Sequence, residues 1–486
     1  MIDTAALVKT VETGFPGKLP VLNAFLSSVS AEADAVAIRD RSRLAENIGV
    51  LAYIAAFGSA EARLQAHQLV WGVAGACGIY CASIDGLYRA VASGAAGGFT
   101  VPAMNIRAIA FESARGVFKA IQAHNVGAAI FELSRGEIGF TGQRPHEYAT
   151  VVLCAAIAEG FSGPLFLQGD HFQISATRFA EDPEKECTAV KSLIAEAISA
   201  GFYNIDIDSS TLVDLSCAAV EEQQRPNFEQ SAELALFTRA IEPPGISVSL
   251  GGEIGEVGEH NSTAEELNAY LAGYNSEIEN RFDGDSCAGL TKISVQTGTR
   301  HGGNILADGS IGEMNVDFDL IRELSRRCRD PYGLAGCVQH GASMLSLEKI
   351  SQLPGADCVE VHLAAAFLNV VYEQLPEFVV SEADNWLKAE YSDEWKSGWS
   401  EPQFIHHARR YPIGPNKRLW WDSDPTHENL RGAIEKKAAQ YFVALNVVNT
   451  REQVAQLVPP VSIPWSPVQA GLSGSADESD IKDLAS

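Results

Sequence analysis

The sequence predicts an α/β chain whose β/α units close into a barrel, flanked by a helical N-terminal extension and a second extension at the C-terminus. Three observations predict it. From Gly98 onward, short β-like runs alternate with helix-length segments, the order that β/α units require. Eight units occupy roughly 275 residues, against about 250 for a typical (β/α)8 TIM barrel. Polar residues also gather at the C-terminal ends of the runs, where barrel enzymes place their active sites.

The expected strands are GFTVPAMNI (98–106), GAAIFEL (127–133), GPLFLQGDH (163–171), FYNIDIDSS (202–210), GISVSLGGE (245–253), LTKISVQTG (290–298), GLAGCVQH (333–340) and DCVEVHL (357–363). Helices follow them, as in 184–201 and 231–242. An open doubly wound sheet is the alternative, but no GxGxxG follows the first strand. Residues 1–83 form the N-terminal extension, with apolar positions three and four apart over 31–58, and are expected to be helical. The barrel spans 84–376, and a partly helical C-terminal extension spans 377–460, with a helix at 428–448. Residues 461–486 read as a disordered tail.

Composition narrows the function. The 486 residues include 36 basic and 62 acidic ones, a net charge of −26. That surface disfavours nucleic acid, whose binding rests on basic contacts to phosphate, and anionic membranes, so neither is an expected partner. The N-terminus lacks a basic start and apolar run, and the apolar stretch from Leu69 to Ala82 is too short to span a bilayer. Nine scattered cysteines without CxxC pairs suit a reducing cytoplasm, and Cys77 and Cys81 read as core packing.

Of 11 histidines, three sit at strand ends in glycine-rich settings: His171 in GDHFQ, His301 in GTRHGG and His340 in QHGAS. Three imidazoles with an open fourth position make a catalytic zinc site. Asp170 precedes His171, so one side chain can bind metal while the other faces substrate. Asp208 in IDIDSS and Glu253 in GGEIGEVGEH end the next two strands, either as ligands or as supports for the histidines. Asp206 should lie deeper in the barrel with the same inward orientation.

VPAMNI, GDHF, IDIDSS, GGEIGEVG, GTRHGG and QHGAS occur in the order and approximate spacing of the class II aldolases, which cleave fructose and tagatose 1,6-bisphosphates. Residues 84–375 resemble this family. The resemblance implies reversible aldol cleavage of a ketose phosphate through a zinc-stabilised enediolate. It implies zinc on His171, His301 and His340, and Asp170 as the acid/base at the hydroxyl beside the cleaved bond. It makes Asp208 and Glu253 ligands of a secondary cation, divalent or monovalent. Asn105, Ser134, Gly302, Gly341 and Ser343 become substrate contacts, and His362, at a position that contacts substrate in the family, is expected to be one too. Glu259, with Glu256 in reserve, becomes the group that moves the proton on the ketose-derived carbon. A homodimer or higher homo-oligomer is implied as well.

The sequence also departs from the family. EVHLAAAF (360–367) places His362 where an asparagine is usual and Ala364 to Ala366 where a small polar pair is usual. Met344 replaces a glycine, and HGGN lacks the usual aromatic residue. A phosphate therefore loses partners, and fructose 1,6-bisphosphate is not the expected substrate. The basic island HHARRYPIGPNKR (406–418) either is a solvated loop or brings Arg409, Arg410 or Arg418 to an anionic group. Three other readings stay open: a Schiff-base enzyme using Lys292, a non-catalytic barrel subunit, and a zinc hydrolase.

Overall fold

The computed structural model describes residues 4–32, 35–255, 260–282, 284, 287–298, 315–424 and 426–465. Eight parallel strands form its centre: β1 (Val101–Asn105), β2 (Ile130–Ser134), β3 (Gly163–Gln173), β4 (Asn204–Asp208), β5 (Ser249–Glu253), β6 (Lys292–Val295), β7 (Cys337–Gln339) and β8 (Glu360–Leu363). Each pairs with the next, and β8 pairs with β1, so the sheet closes into a barrel. Every strand overlaps its sequence-predicted segment, with β2 and β3 running one and two residues beyond it, and the fold is the expected (β/α)8 barrel.

Alternation along the strands explains the barrel's interior. Residues two apart point to the same face. Six strands place polar groups or glycine at such pairs: Glu132 and Ser134, Gln168 and Asp170, Asp206 and Asp208, Gly251 and Glu253, Lys292 and Ser294, and Glu360 and His362. Barrel centres are usually filled by layers of branched apolar side chains. Here a lower polar layer is tied together by its own bonds. Lys292 Nζ donates to Gln168 Oε1 and Asp206 Oδ2 at 2.9 Å and pairs with Glu360, while Gln168 Nε2 donates to Glu132 and Glu360 at 2.8 Å. The tie is needed because an unpaired charge at this depth costs several kcal/mol.

The N-terminal region differs from the all-helical expectation. Helices Thr4–Gly14, Leu19–Ser28, Arg41–Asn47, Gly49–Phe57 and Ala60–Ala76 are present, but Val29–Glu32 and Ala35–Ile38 form an antiparallel pair. Ile79–Cys81 adds a short parallel strand beside Gly163–Leu165, at the N-terminal end of β3. Both depend on pairing with a neighbouring strand, which a helical periodicity does not report.

One buried apolar cluster runs through both extensions and the barrel. Gly49–Phe57 and Ala60–Ala76 pack on Pro145–Ala158, the helix after β2. Helix Glu428–Ala444 packs on Ala110–Ala123, the helix after β1. Gly116 permits that approach: a Cβ there would lie 2.6 Å from the Arg431 carbonyl oxygen. Residues 466–486 lie outside the described residues.

Candidate functional site

The C-terminal ends of the strands surround a cavity of about 320 Å³ lined by Asp170, His171, His340 and His362. Adjacent residues on a regular strand face opposite ways, yet Asp170 and His171 both reach this site. A bulge in β3 between Gly169 and Phe172 makes that possible, with His171 at a φ of 39°. Gly169 gives the Phe172 ring room to fold beneath; a Cβ there would lie 2.4 Å from it.

The two histidines present ring nitrogens to each other, His171 Nε2 lying 3.1 Å from His340 Nδ1. Their far nitrogens are engaged behind. His171 Nδ1 is 3.0 Å from Asp208 Oδ2, and His340 Nε2 is 2.9 Å from Ser294 Oγ and 3.5 Å from Glu253 Oε2. Carboxylates behind ligating histidines fix the tautomer and orient the ring. With the His171 N–H turned to Asp208 and the His340 N–H to the Ser294 hydroxyl, with Glu253 beside it, the facing nitrogens carry lone pairs. Lone pairs at that separation repel each other unless a cation or proton lies between them. Two imidazole nitrogens at about 2.0–2.1 Å from one tetrahedral ion are separated by roughly 3.3 Å. Asp170 joins the group: its carboxylate and the two histidine nitrogens lie within 4.8 Å of one another.

Electrostatics favour a positive charge at this point. Burial opposes it, but Asp170, Asp208 and Glu253 outweigh burial and hold the His171 imidazole well above its usual range. Burial likewise opposes ionisation of Asp170, yet His171 and His362 keep that carboxyl well below its usual range. The donor set and its field fit a divalent metal, with His171 and His340 as ligands.

The remaining sequence-predicted residues fall into place unevenly. Asn105 donates through Nδ2 to Asp170 Oδ2 at 3.1 Å and to Glu137 Oε2 at 2.7 Å. Ser134 lines the cavity, but its hydroxyl caps helix Arg135–Thr141 by accepting from the Glu137 amide at 3.2 Å. Gly341, in the left-handed region, and Ser343 line the cavity too. His362 is buried, with Nδ1 3.0 Å from Asp170 Oδ1 and Nε2 2.7 Å from Glu360 Oε1. His301, Gly302, Glu256 and Glu259 lie outside the described residues.

Lys292 is 1% exposed and clamped by Asp206 and Glu360. Although burial opposes its charge, those two carboxylates push its ammonium above the usual range. A Schiff-base lysine needs a neutral, reachable amine, so this one is a core counter-ion.

Arg409 and Arg410 of the basic island line the cavity, joined there by His406 and His407. Arg418 does not; it pairs with Asp422 at 3.5 Å. Sequence reasoning missed Glu137, whose carboxylate accepts from Asn105, takes the Arg107 ion pair and closes the helix cap. The capping pattern Ser134–Glu137 was its signal. It also missed Glu132, Gln168 and Glu360, which the period-two repetition of polar residues could have shown.

No family model matches the chain, and no curated protein does. Among solved structures, a fructuronate–tagaturonate epimerase from Cohnella laeviribosi has a TM-score of 0.50 at 12% identity, over 87% of this chain and 90% of that one. The likeness is one of fold. A fructose-bisphosphate aldolase from Campylobacter jejuni gives 0.45 at 17% identity, over 76% of this chain and 97% of its own. The YdjI aldolase from Escherichia coli K12 gives 0.45 at 14%, over 76% and 98%.

Proposed function

We propose that the chain is a metal-dependent aldolase acting on a ketose with an anionic terminal group, and that His171, His340 and Asp170 are at the centre of its chemistry. The facing nitrogens of His171 and His340, each backed by a carboxylate, carry this reading. His171 and His340, with His301 from the family resemblance, would hold zinc. Asp208 and Glu253, placed behind the rings, act as their supports. When bound, the ion would polarise the ketone and hold developing negative charge, worth several kcal/mol.

The protein's own groups would do the rest. Asp170 takes the proton of the hydroxyl on C4 as the C3–C4 bond breaks. The bonding pair passes to the ketone fragment and C4 leaves as an aldehyde; C3 is then protonated, by Glu259 in this reading. Asn105 holds the second oxygen of Asp170. Ser134, Gly341 and Ser343 line the space for the sugar. Arg409 and Arg410 meet the anionic end. Arg409 suits that role because its guanidinium is held by the Asn369 side chain and the Tyr372 ring, both neutral.

A second reading uses the same bond. The basic residues at the cavity, together with the loss of phosphate donors around Ala364–Ala366, favour a carboxylate terminus. Fructuronate and tagaturonate, named for the epimerase fold, differ only at C4. Cleavage, rotation of the aldehyde and recombination before release would interconvert such a pair. Ketose phosphates and keto-hexuronates, assayed side by side on the metal-loaded protein, separate the readings: three-carbon products mark an aldolase, a C4 epimer the alternative. Neither product from any of them would refute both.

No helix among the described residues is long and apolar enough to cross a membrane. All nine cysteines are free, which supports a cytoplasmic location. A homo-oligomer remains part of the proposal.

A further inference from the structure

We infer that His362 is a positioning residue that holds Asp170 off the metal and aimed at the substrate. The inference rests on the reading of His171 and His340 as ligands and of Asp170 as the acid/base. Asp170 has two places to go. Its Oδ1 is 3.8 Å from His171 Nε2, one of the two facing nitrogens. Carboxylates ligate zinc at about 2.0–2.2 Å, so a modest rotation of this side chain would place an oxygen on the ion. A carboxylate bound there no longer takes a proton from the substrate.

Two bonds oppose that rotation. Asn105 Nδ2 holds Oδ2 at 3.1 Å from β1, and His362 Nδ1 holds Oδ1 at 3.0 Å from β8. The His362 bond decides the matter, because Oδ1 is the oxygen nearer His171. The imidazole is fixed in turn. It is 4% exposed, its Nε2 is 2.7 Å from Glu360 Oε1, and its ring lies 4.2 Å from that of His340. Glu360 is anchored by Lys292, Tyr88 and Gln168. The lower polar layer thus acts through one histidine on the direction of one carboxylate. With both ring nitrogens turned to carboxylates, His362 acts on Asp170 rather than on the sugar.

The test uses the full chain loaded with cobalt(II) in place of zinc, whose visible absorption weakens as coordination rises above four. His362→Ala frees Asp170 to ligate, so its cobalt spectrum should differ from that of the wild type and its metal should resist a competing chelator more strongly. Its kcat should fall about 10–100-fold, the usual cost of removing a support of this kind, with KM within a few-fold. His362→Asn, whose amide nitrogen lies near the position of Nδ1, should recover the spectrum and most of kcat. In an Asp170→Ala background, His362→Ala should leave the spectrum unchanged, since the side chain that moves is gone. A spectrum and kcat unaltered in His362→Ala would overturn the positioning role, as would a spectral change that persists without Asp170. Full turnover in Asp170→Ala would instead overturn the acid/base assignment.

Discussion

The β3 bulge lets the neighbours Asp170 and His171 both face the cavity, and the proposed function gives them different work. Asp170→Ala removes proton transfer without removing a ligand, so metal content should persist while kcat falls about 10²–10⁴-fold. A kcat within a few-fold of the wild type would make Asp170 structural. His340→Ala removes a ligand and should lose metal on dialysis; full occupancy there would refute the ligand assignment. Lys292→Met makes the opposite kind of prediction. Deleting one partner of a buried ion pair costs about 3–5 kcal/mol, so the melting temperature should fall, and borohydride with substrate should trap no covalent adduct on the wild type. At this scale His171 and His340 were legible because histidines are few and these two stand near strand ends. Glu137 was not, because its role depends on Asn105 and Arg107 arriving from another strand.

The element that departs most from a bare barrel is the C-terminal extension. Helix Glu401–Ala408 and the residues just after it bring His406, His407, Arg409 and Arg410 to the cavity. Reversing both charges should raise KM for an anionic ketose far more than it lowers kcat; an unchanged KM would return the island to a solvated surface. Helix Glu428–Ala444 shows how closely this extension is fitted. Gly116→Val would drive a side chain into the Arg431 carbonyl and Ile434, at a cost of about 1–3 kcal/mol for overpacking, read as a lower melting temperature. Strands and long helices were legible from periodicity and glycine punctuation. The antiparallel pairing of Val29–Glu32 with Ala35–Ile38 was not, since four-residue runs acquire their conformation from a partner.

Across the whole molecule, the acidic surface and the polar barrel centre make stability depend on pH. The contact between the N-terminal extension and the barrel adds a separate effect. Burial, with the nearby His146, pushes His67 down to about 3; burial, with Arg144, pushes His146 down to about 4. Below the ordinary histidine value of about 6.5, the unfolded chain binds protons that the native one refuses. Their contribution is therefore complete above pH 6.5 and is lost as the pH falls through 4 for His146 and through 3 for His67. His67→Gln should flatten that acid-side decline in melting temperature, and an equally steep decline in the variant would remove His67 as a cause. Closure of the barrel was legible because eight units alternate in register. The contacts of the extensions were not, because amphipathic spacing shows that a face is buried without showing what buries it.

The central claim is that His171 and His340 hold a metal that drives cleavage beside a ketose hydroxyl. The most direct test is kcat/KM for carbon–carbon cleavage or C4 inversion, over ketose phosphates and keto-hexuronates, before chelation, after it and after zinc is restored. The account predicts turnover of at least one substrate that is lost on chelation and regained with zinc, with fructose 1,6-bisphosphate below about 10⁴ M⁻¹s⁻¹, the lower end of ordinary enzymes. Turnover that survives complete metal removal would contradict it, and so would a zinc-replete protein that leaves every one of these substrates unchanged.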